Sequence, residues 1–96
     1  MKPSTALQAH HELIRRVVLA HRASNPRVFG SVLRGEDTDQ SDLDLLVDPA
    51  PDASLLDLAH IQVDLETQLG IAVDVLTPAA LPLKFRSQVL REARPV

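Results

Sequence analysis

Phe29-Gly30-Ser31-Val32-Leu33-Arg34-Gly35, a polar interval, then Ser41-Asp42-Leu43-Asp44-Leu45-Leu46-Val47 form the stretch around which this 96-residue chain is organised. Arg27-Val28-Phe29 predicts a short strand that runs into the Gly30-Ser31 turn. Leu43 to Val47 predicts a second strand, with Leu43, Leu45 and Val47 on the face opposite Asp42 and Asp44. A Gly-Ser turn presents backbone N–H groups and a hydroxyl to a phosphate. Carboxylates two residues apart on a strand share a face, ~6.6 Å apart along it. Hard anionic oxygens beside a phosphate-sized turn are what Mg²⁺-assisted phosphoryl or nucleotidyl chemistry requires.

Working outward, Ser4 or Thr5 is placed to cap a helix reaching about Arg22, with Leu7, Ile14, Val17, Val18 and His21 on one face. Ser24-Asn25-Pro26 is expected to stop it. Val32 to Gly35 predicts the start of a brief helix, and Glu36 to Gln40 a loop. After Pro49-Ala50-Pro51, Asp52 or Ser54 caps a helix whose apolar stripe is Leu55, Leu58, Ile61 or Gln62, Leu65 and Leu69; Gly70 ends it. Ile71 to Leu76 reads as a third strand, apolar enough to be central in the sheet. Pro78 and Pro82 bracket a turn before a last helix to about Ala93. The order predicts a single α/β domain over residues 1–96: a small mixed sheet of three or more strands flanked by about four helices.

Composition narrows the function. A hydrophobic fraction of 45% with 24% charged residues is that of a globular domain rather than a disordered chain. The net charge of −3 argues against direct nucleic-acid binding, and the two aromatics, Phe29 and Phe85, provide no series of base-stacking platforms. Zero Cys excludes disulfides, zinc-thiolate sites and thiol nucleophiles. No apolar run is long enough to span a membrane and the N-terminus lacks a signal-peptide core, so a cytoplasmic location is the expectation.

Six of the thirteen acids fall between Glu36 and Asp48. Glu36, Asp37 and Asp39 read as a solvated loop, whereas Asp42 and Asp44 lead into an apolar strand. The bland reading makes Asp42 a turn residue with Ser41 and Asp44 the partner of an Arg. The sharper reading makes both metal ligands. Asp74, inside Ile71-Ala72-Val73-Asp74-Val75-Leu76, is costly to bury without a partner. Its partner is either an Arg or the cations held by Asp42 and Asp44. Arg34 is placed either to bind a phosphate or to brace the acidic loop, while Lys84 and Arg86 are secondary phosphate candidates. His10, His11, His21 and His60 make no convincing ligand set, with His10 and His11 expected on a helix surface and His21 at a helix end.

The Gly-Ser-x10-Asp-x-Asp pattern resembles the signature of polymerase-β-type nucleotidyltransferases. Its flanks, with Arg34-Gly35 after the turn and Ser41 before the first Asp, are similar to the minimal nucleotidyltransferase (MNT) branch. The likeness extends from about Leu7 to about Ala93 and departs at Val32-Leu33, where relatives often carry an aromatic and then a small residue. It implies a polymerase-β-like fold, with Asp42, Asp44 and Asp74 as catalytic residues and ligands of two Mg²⁺ ions, Asp74 helping to deprotonate the attacking hydroxyl. Gly30, Ser31 and Arg34 would bind the nucleotide.

By the same resemblance, the chain is expected to transfer AMP from ATP to a hydroxyl. In the MNT group the acceptor is commonly a Tyr of a HEPN ribonuclease toxin encoded alongside, the MNT protein being the antitoxin. The alternative is a non-catalytic antitoxin that neutralises its partner by complex formation. Transfer to a small molecule such as an aminoglycoside is disfavoured, because 96 residues leave no room for a second, acceptor-binding domain.

Overall fold

A computed structural model describes residues 1–96. In chain order its elements are α1 (Pro3–Ala9), α2 (His11–Ala20), β1 (Ala23–Phe29), β2 (Leu43–Pro49), α3 (Leu55–Leu69), β3 (Val73–Leu76), α4 (Leu83–Glu92) and β4 (Arg94–Pro95), with a 3-10 turn at Pro78–Ala80. The four strands form one mixed sheet in the order β3-β2-β1-β4. β1 is antiparallel to both β2 and β4, and β2 is parallel to β3. The connection from β2 to β3 is α3, the usual crossover between parallel neighbours.

Local chemistry explains several of these boundaries. Ser54 and Asp57 form a reciprocal capping box, and Ser54 N–H donates to Asp57 Oδ2 at 2.9 Å. Gly70 closes α3 in the left-handed conformation at φ 69°, and its N–H donates to Glu66 O. The stripe expected on α3 is right for Ile61, Leu65 and Leu69, which are buried, and wrong for Leu55, which is 84% exposed in the first turn.

Four other expectations need correction. The single N-terminal helix is two, separated at His10, and the first is capped by neither Ser4 nor Thr5. Pro3 opens α1 at a first-turn position, where its missing N–H costs nothing. No breaker residue stands at His10. Instead α1 buries Pro3 and Ala6 while α2 buries Ile14, Val17 and Val18. β1 begins at Ala23, upstream of the expected stop, because Pro26 sits at an irregularity between Ser24 and Arg27, where a strand tolerates a missing donor. Residues 32–35 form turns rather than a helix.

β3 is an edge strand, not a central one. Val73 and Val75 enter the core, and Ile71 packs against it from before the strand, so the apolar run is satisfied without a second sheet neighbour. Glu66 Oε2 accepts the Val73 N–H at 3.1 Å, and only four residues are left as an edge.

The main core lies on one side of the sheet. Ile14, Val17 and Val18 of α2 and Ile61, Leu65 and Leu69 of α3 meet Val28, Leu43, Leu45, Val47, Val73 and Val75. The opposite side carries Leu46, which is fully buried, and the carboxylates of β2 and β3. Phe29, Asp44 and Asp74 are in register across β1, β2 and β3, so they form one row on this second face. α4, without one buried residue, is the helix nearest that face.

Candidate active site

The turn after β1 is built around Gly30. Its φ of +77° lies in the left-handed region that side chains avoid. A Cβ placed on it would come to 2.3 Å from Asp44 Oδ2, so the Asp44 carboxylate rests on the glycine backbone. Beyond Gly30 the chain winds back on itself. Arg34 N–H donates to Gly30 O at 3.3 Å, Gly35 N–H to Val32 O at 3.2 Å and Glu36 N–H to Ser31 O at 2.9 Å. Ser31 is half-buried at the start of this loop.

Asp42 is exposed just ahead of β2, where Leu43 N–H donates to Ala72 O and aligns the start of β2 with β3. Asp44 and Asp74 are both half-buried and directly paired in the parallel register, which sets their backbones ~4.8 Å apart. Partial burial, then the negative charges of Asp74 and Asp42, push the Asp44 carboxyl up to about 6, and Arg34 pulls the other way. None of the three carboxylates has an ion pair or a side-chain hydrogen bond, although six other acids of the chain do have ion pairs. The bland readings lose their partners as well. Ser41 bonds with Thr38, whose N–H donates to Ser41 Oγ at 2.9 Å, and no Arg forms an ion pair with Asp44 or Asp74.

These oxygens suit a hard divalent cation. Asp44, raised first by burial and then by the charges of Asp74 and Asp42, is stabilised by positive charge placed beside it. No three acidic or imidazole groups converge into a ready-made cage. Mg²⁺ does not demand one, since it commonly takes one or two carboxylates and completes its shell with water and substrate phosphates. The donor set therefore fits Mg²⁺ held jointly by protein and nucleotide.

Several roles were not foreseen from sequence. Asp37, expected as loop solvation, is buried and accepts the Ser4 N–H at 2.8 Å. That backbone donor holds its carboxyl below the usual range and ties the acidic loop to the start of α1. Arg34 stands with Glu36 Oε2 at 3.3 Å and also acts on Asp44, so it braces the loop and faces the site together. Arg86 is structural, donating to Ala79 O and Leu81 O, both at 2.9 Å, and Lys84 lies over the Phe85 ring. His21 Nε2 meets Asp64 Oδ2 at 2.8 Å, joining α2 to α3 on the core side. Asp48, the last acid of the cluster, is held by Arg27 and Asn25. The largest concavity, about 590 Å³ beside His10, contains no site residue.

A mixed sheet with a glycine turn at the end of one strand and carboxylates on the next two defines a nucleotidyltransferase domain. The chain belongs to that family: residues 24–96 match the nucleotidyltransferase domain. It is 38% identical to a candidate protein adenylyltransferase of Methanocaldococcus jannaschii, over 80% of this chain and 83% of that protein. It is also 42% identical to the protein adenylyltransferase MntA of Thermococcus cleftensis, over 68% of this chain and 66% of that one. A solved structure described as a candidate minimal nucleotidyltransferase superposes with a TM-score of 0.86 at 44% identity, covering 100% of this chain and 97% of the other. A toxin–antitoxin structure with AMP-PNP superposes at a TM-score of 0.73 and 18% identity, covering 90% of this chain and 70% of the other, a likeness of fold alone.

Proposed function

We propose that the protein is an ATP-dependent protein adenylyltransferase, acting as the antitoxin that modifies a Tyr hydroxyl of a cognate HEPN ribonuclease toxin. The observation that carries this reading is the row of Asp44 and Asp74 beside Gly30, neither of them in an ion pair. Relatives at 38% and 42% identity that are named protein adenylyltransferases support the reaction, and the toxin–antitoxin structure of the same fold supports the setting.

In this mechanism the backbone N–H groups of the Gly30-Ser31 turn and the Ser31 hydroxyl hold the β- and γ-phosphates, and Arg34 offsets their charge. Asp42 and Asp44, joined by Asp74, would hold Mg²⁺, which supplies electrostatic stabilisation to the phosphates and the leaving pyrophosphate. The acceptor oxygen attacks the α-phosphorus in line, the bond to the β-phosphate oxygen breaks, and pyrophosphate departs. Asp74 takes the hydroxyl proton. Gly30 leaves Asp44 room to stay against the turn, so carboxylate and phosphate cradle remain in contact.

The test uses the protein with ATP, Mg²⁺ and the cognate HEPN ribonuclease that this reading requires. The wild type adds the mass of one or more AMP units to a hydroxyl side chain of the partner, and Asp42→Asn adds none. Protection of cells by Asp42→Asn as complete as by the wild type, with no mass gain on the partner in either case, overturns transfer in favour of neutralisation by binding.

A further inference from the structure

α4 is anomalous as a helix. Ten residues form a marginal helix in water, and most helical stability comes from a packed face, yet no residue of α4 is fully buried and only Arg86 and Val89 are half-buried. Phe85 is 50% exposed and Leu83 81%. Two grooves run beside it. One, about 400 Å³, is apolar, lined by Phe29, Leu76, Leu81, Phe85 and Val89, and reaches Gly30. The other, about 520 Å³, is lined by Leu33, Arg34, Gln88, Arg91 and Arg94. Arg34, Gln88 and Glu92 line both, so the two grooves are continuous with each other and with the nucleotide turn.

The charge of this face differs from that of the rest of the chain. Residues 83–96 hold Lys84, Arg86, Arg91 and Arg94 against Glu92, a net of +3, whereas residues 1–82 carry six cations and twelve acids, a net of −6. Arg91 and Arg94 have no ion pair. The acid in their groove, Glu92, accepts from Gln88 Nε2 at 3.2 Å. Unpaired guanidiniums beside exposed apolar side chains, at the mouth of a site that is otherwise anionic, select by charge.

We infer that the α4–β4 face is the docking surface for the acceptor protein, and that it takes an acidic segment carrying apolar side chains next to the modified hydroxyl. This rests on the protein-acceptor reading above. Carboxylates of the segment pair with Arg91 and Arg94, and its apolar side chains cover Phe85 and the groove behind it. The acidic loop on the other side of the turn repels the same segment and so fixes its direction.

The probes are two fluorescein-labelled peptides with one Tyr each, identical in apolar residues, one with Glu and Asp and the other with Lys at the remaining positions. Anisotropy with the wild-type protein, Mg²⁺ and a non-hydrolysable ATP analogue reads binding without turnover. The acidic peptide binds at least about tenfold tighter, and increasingly so as salt is lowered. Arg91→Glu or Arg94→Glu each weakens it several-fold and leaves ATP affinity unchanged, whereas Arg16→Glu, the same charge change on α2, leaves both unchanged. Equal binding of the two peptides, or equal losses from Arg16→Glu and Arg91→Glu, overturns the docking surface. Separate incubation with ATP then reads transfer: acidic-selective binding without AMP on the Tyr keeps the surface and removes the protein-Tyr reading.

Discussion

Asp44 makes the proposed site sensitive to pH. Its carboxyl ordinarily titrates at 3.8 and in the fold at about 6, so the folded chain holds that proton more tightly than the unfolded one. The group's contribution is then fully favourable below about 4 and is lost as pH rises through about 6. Asp37 has the opposite sign, its stabilisation being present above 3.8 and lost only at lower pH, so the two windows do not overlap. Metal-free protein is expected to melt higher at about pH 5 than at about pH 7.5, with the difference much reduced in Asp44→Asn and by saturating Mg²⁺. Differential scanning calorimetry across that range checks it, and an identical pH slope in Asp44→Asn would contradict it. Gly30→Ala tests the neighbouring contact. The methyl needs space that Asp44 Oδ2 occupies and a φ that alanine disfavours, so the variant is expected to lose on the order of 1 kcal/mol or more of stability and at least about a hundredfold in transfer rate.

At the scale of elements, the capping box of α3 is a local device with a local cost. Ser54→Ala is expected to destabilise by about 1 kcal/mol in denaturant titration and to leave transfer intact. Asp37→Asn acts at longer range. Its carboxylate accepts the first-turn N–H of Ser4, and losing the charge is expected to speed hydrogen exchange across α1 while α3 keeps its protection. These two caps mark the line between what was legible in the sequence and what was not. Ser54 and Asp57 are three residues apart, Gly70 follows the α3 stripe, and the Gly30 turn and the Asp42–Asp44 pair lie at spacings that local rules interpret, whereas Asp74, thirty residues beyond Asp44, was placed beside it by the family resemblance. Asp37 and Ser4 are 33 residues apart, and nothing near either one names the other. The same limit hid the break at His10, which serves two separate buried surfaces, and β4, whose two residues are strand only because β1 lies beside them. β3 misled for another reason. Apolar residues on both faces imply burial on both, but its edge position is compatible with that when Glu66 and Ile71 cover what a neighbouring strand would have.

Over the whole molecule, an anionic domain must bind an anionic substrate. Twelve acids against six cations in residues 1–82, with Asp42, Asp44 and Asp74 gathered without partners at the proposed phosphate turn, oppose a nucleotide triphosphate unless a cation intervenes. Calorimetry is therefore expected to show ATP binding with Mg²⁺ and little with EDTA, and equal affinity in the two conditions would remove metal from the proposed site. The same electrostatics separates the proposed catalytic carboxylates from structural ones. Asp48 is held by Arg27, and neutralising it strands a guanidinium whose side chain is only 14% exposed, so Asp48→Asn is expected to lower the melting temperature. Asp42 and Asp44 have no such partner, and Asp42→Asn or Asp44→Asn relieves repulsion instead. Each is expected to melt at or above the wild type without metal, to lose most of the Mg²⁺-dependent gain in melting temperature, and to abolish transfer. A metal-free melting temperature several degrees below wild type in both variants would mean that the pair holds the fold together, and the assignment of metal and catalysis to these carboxylates would fall with it.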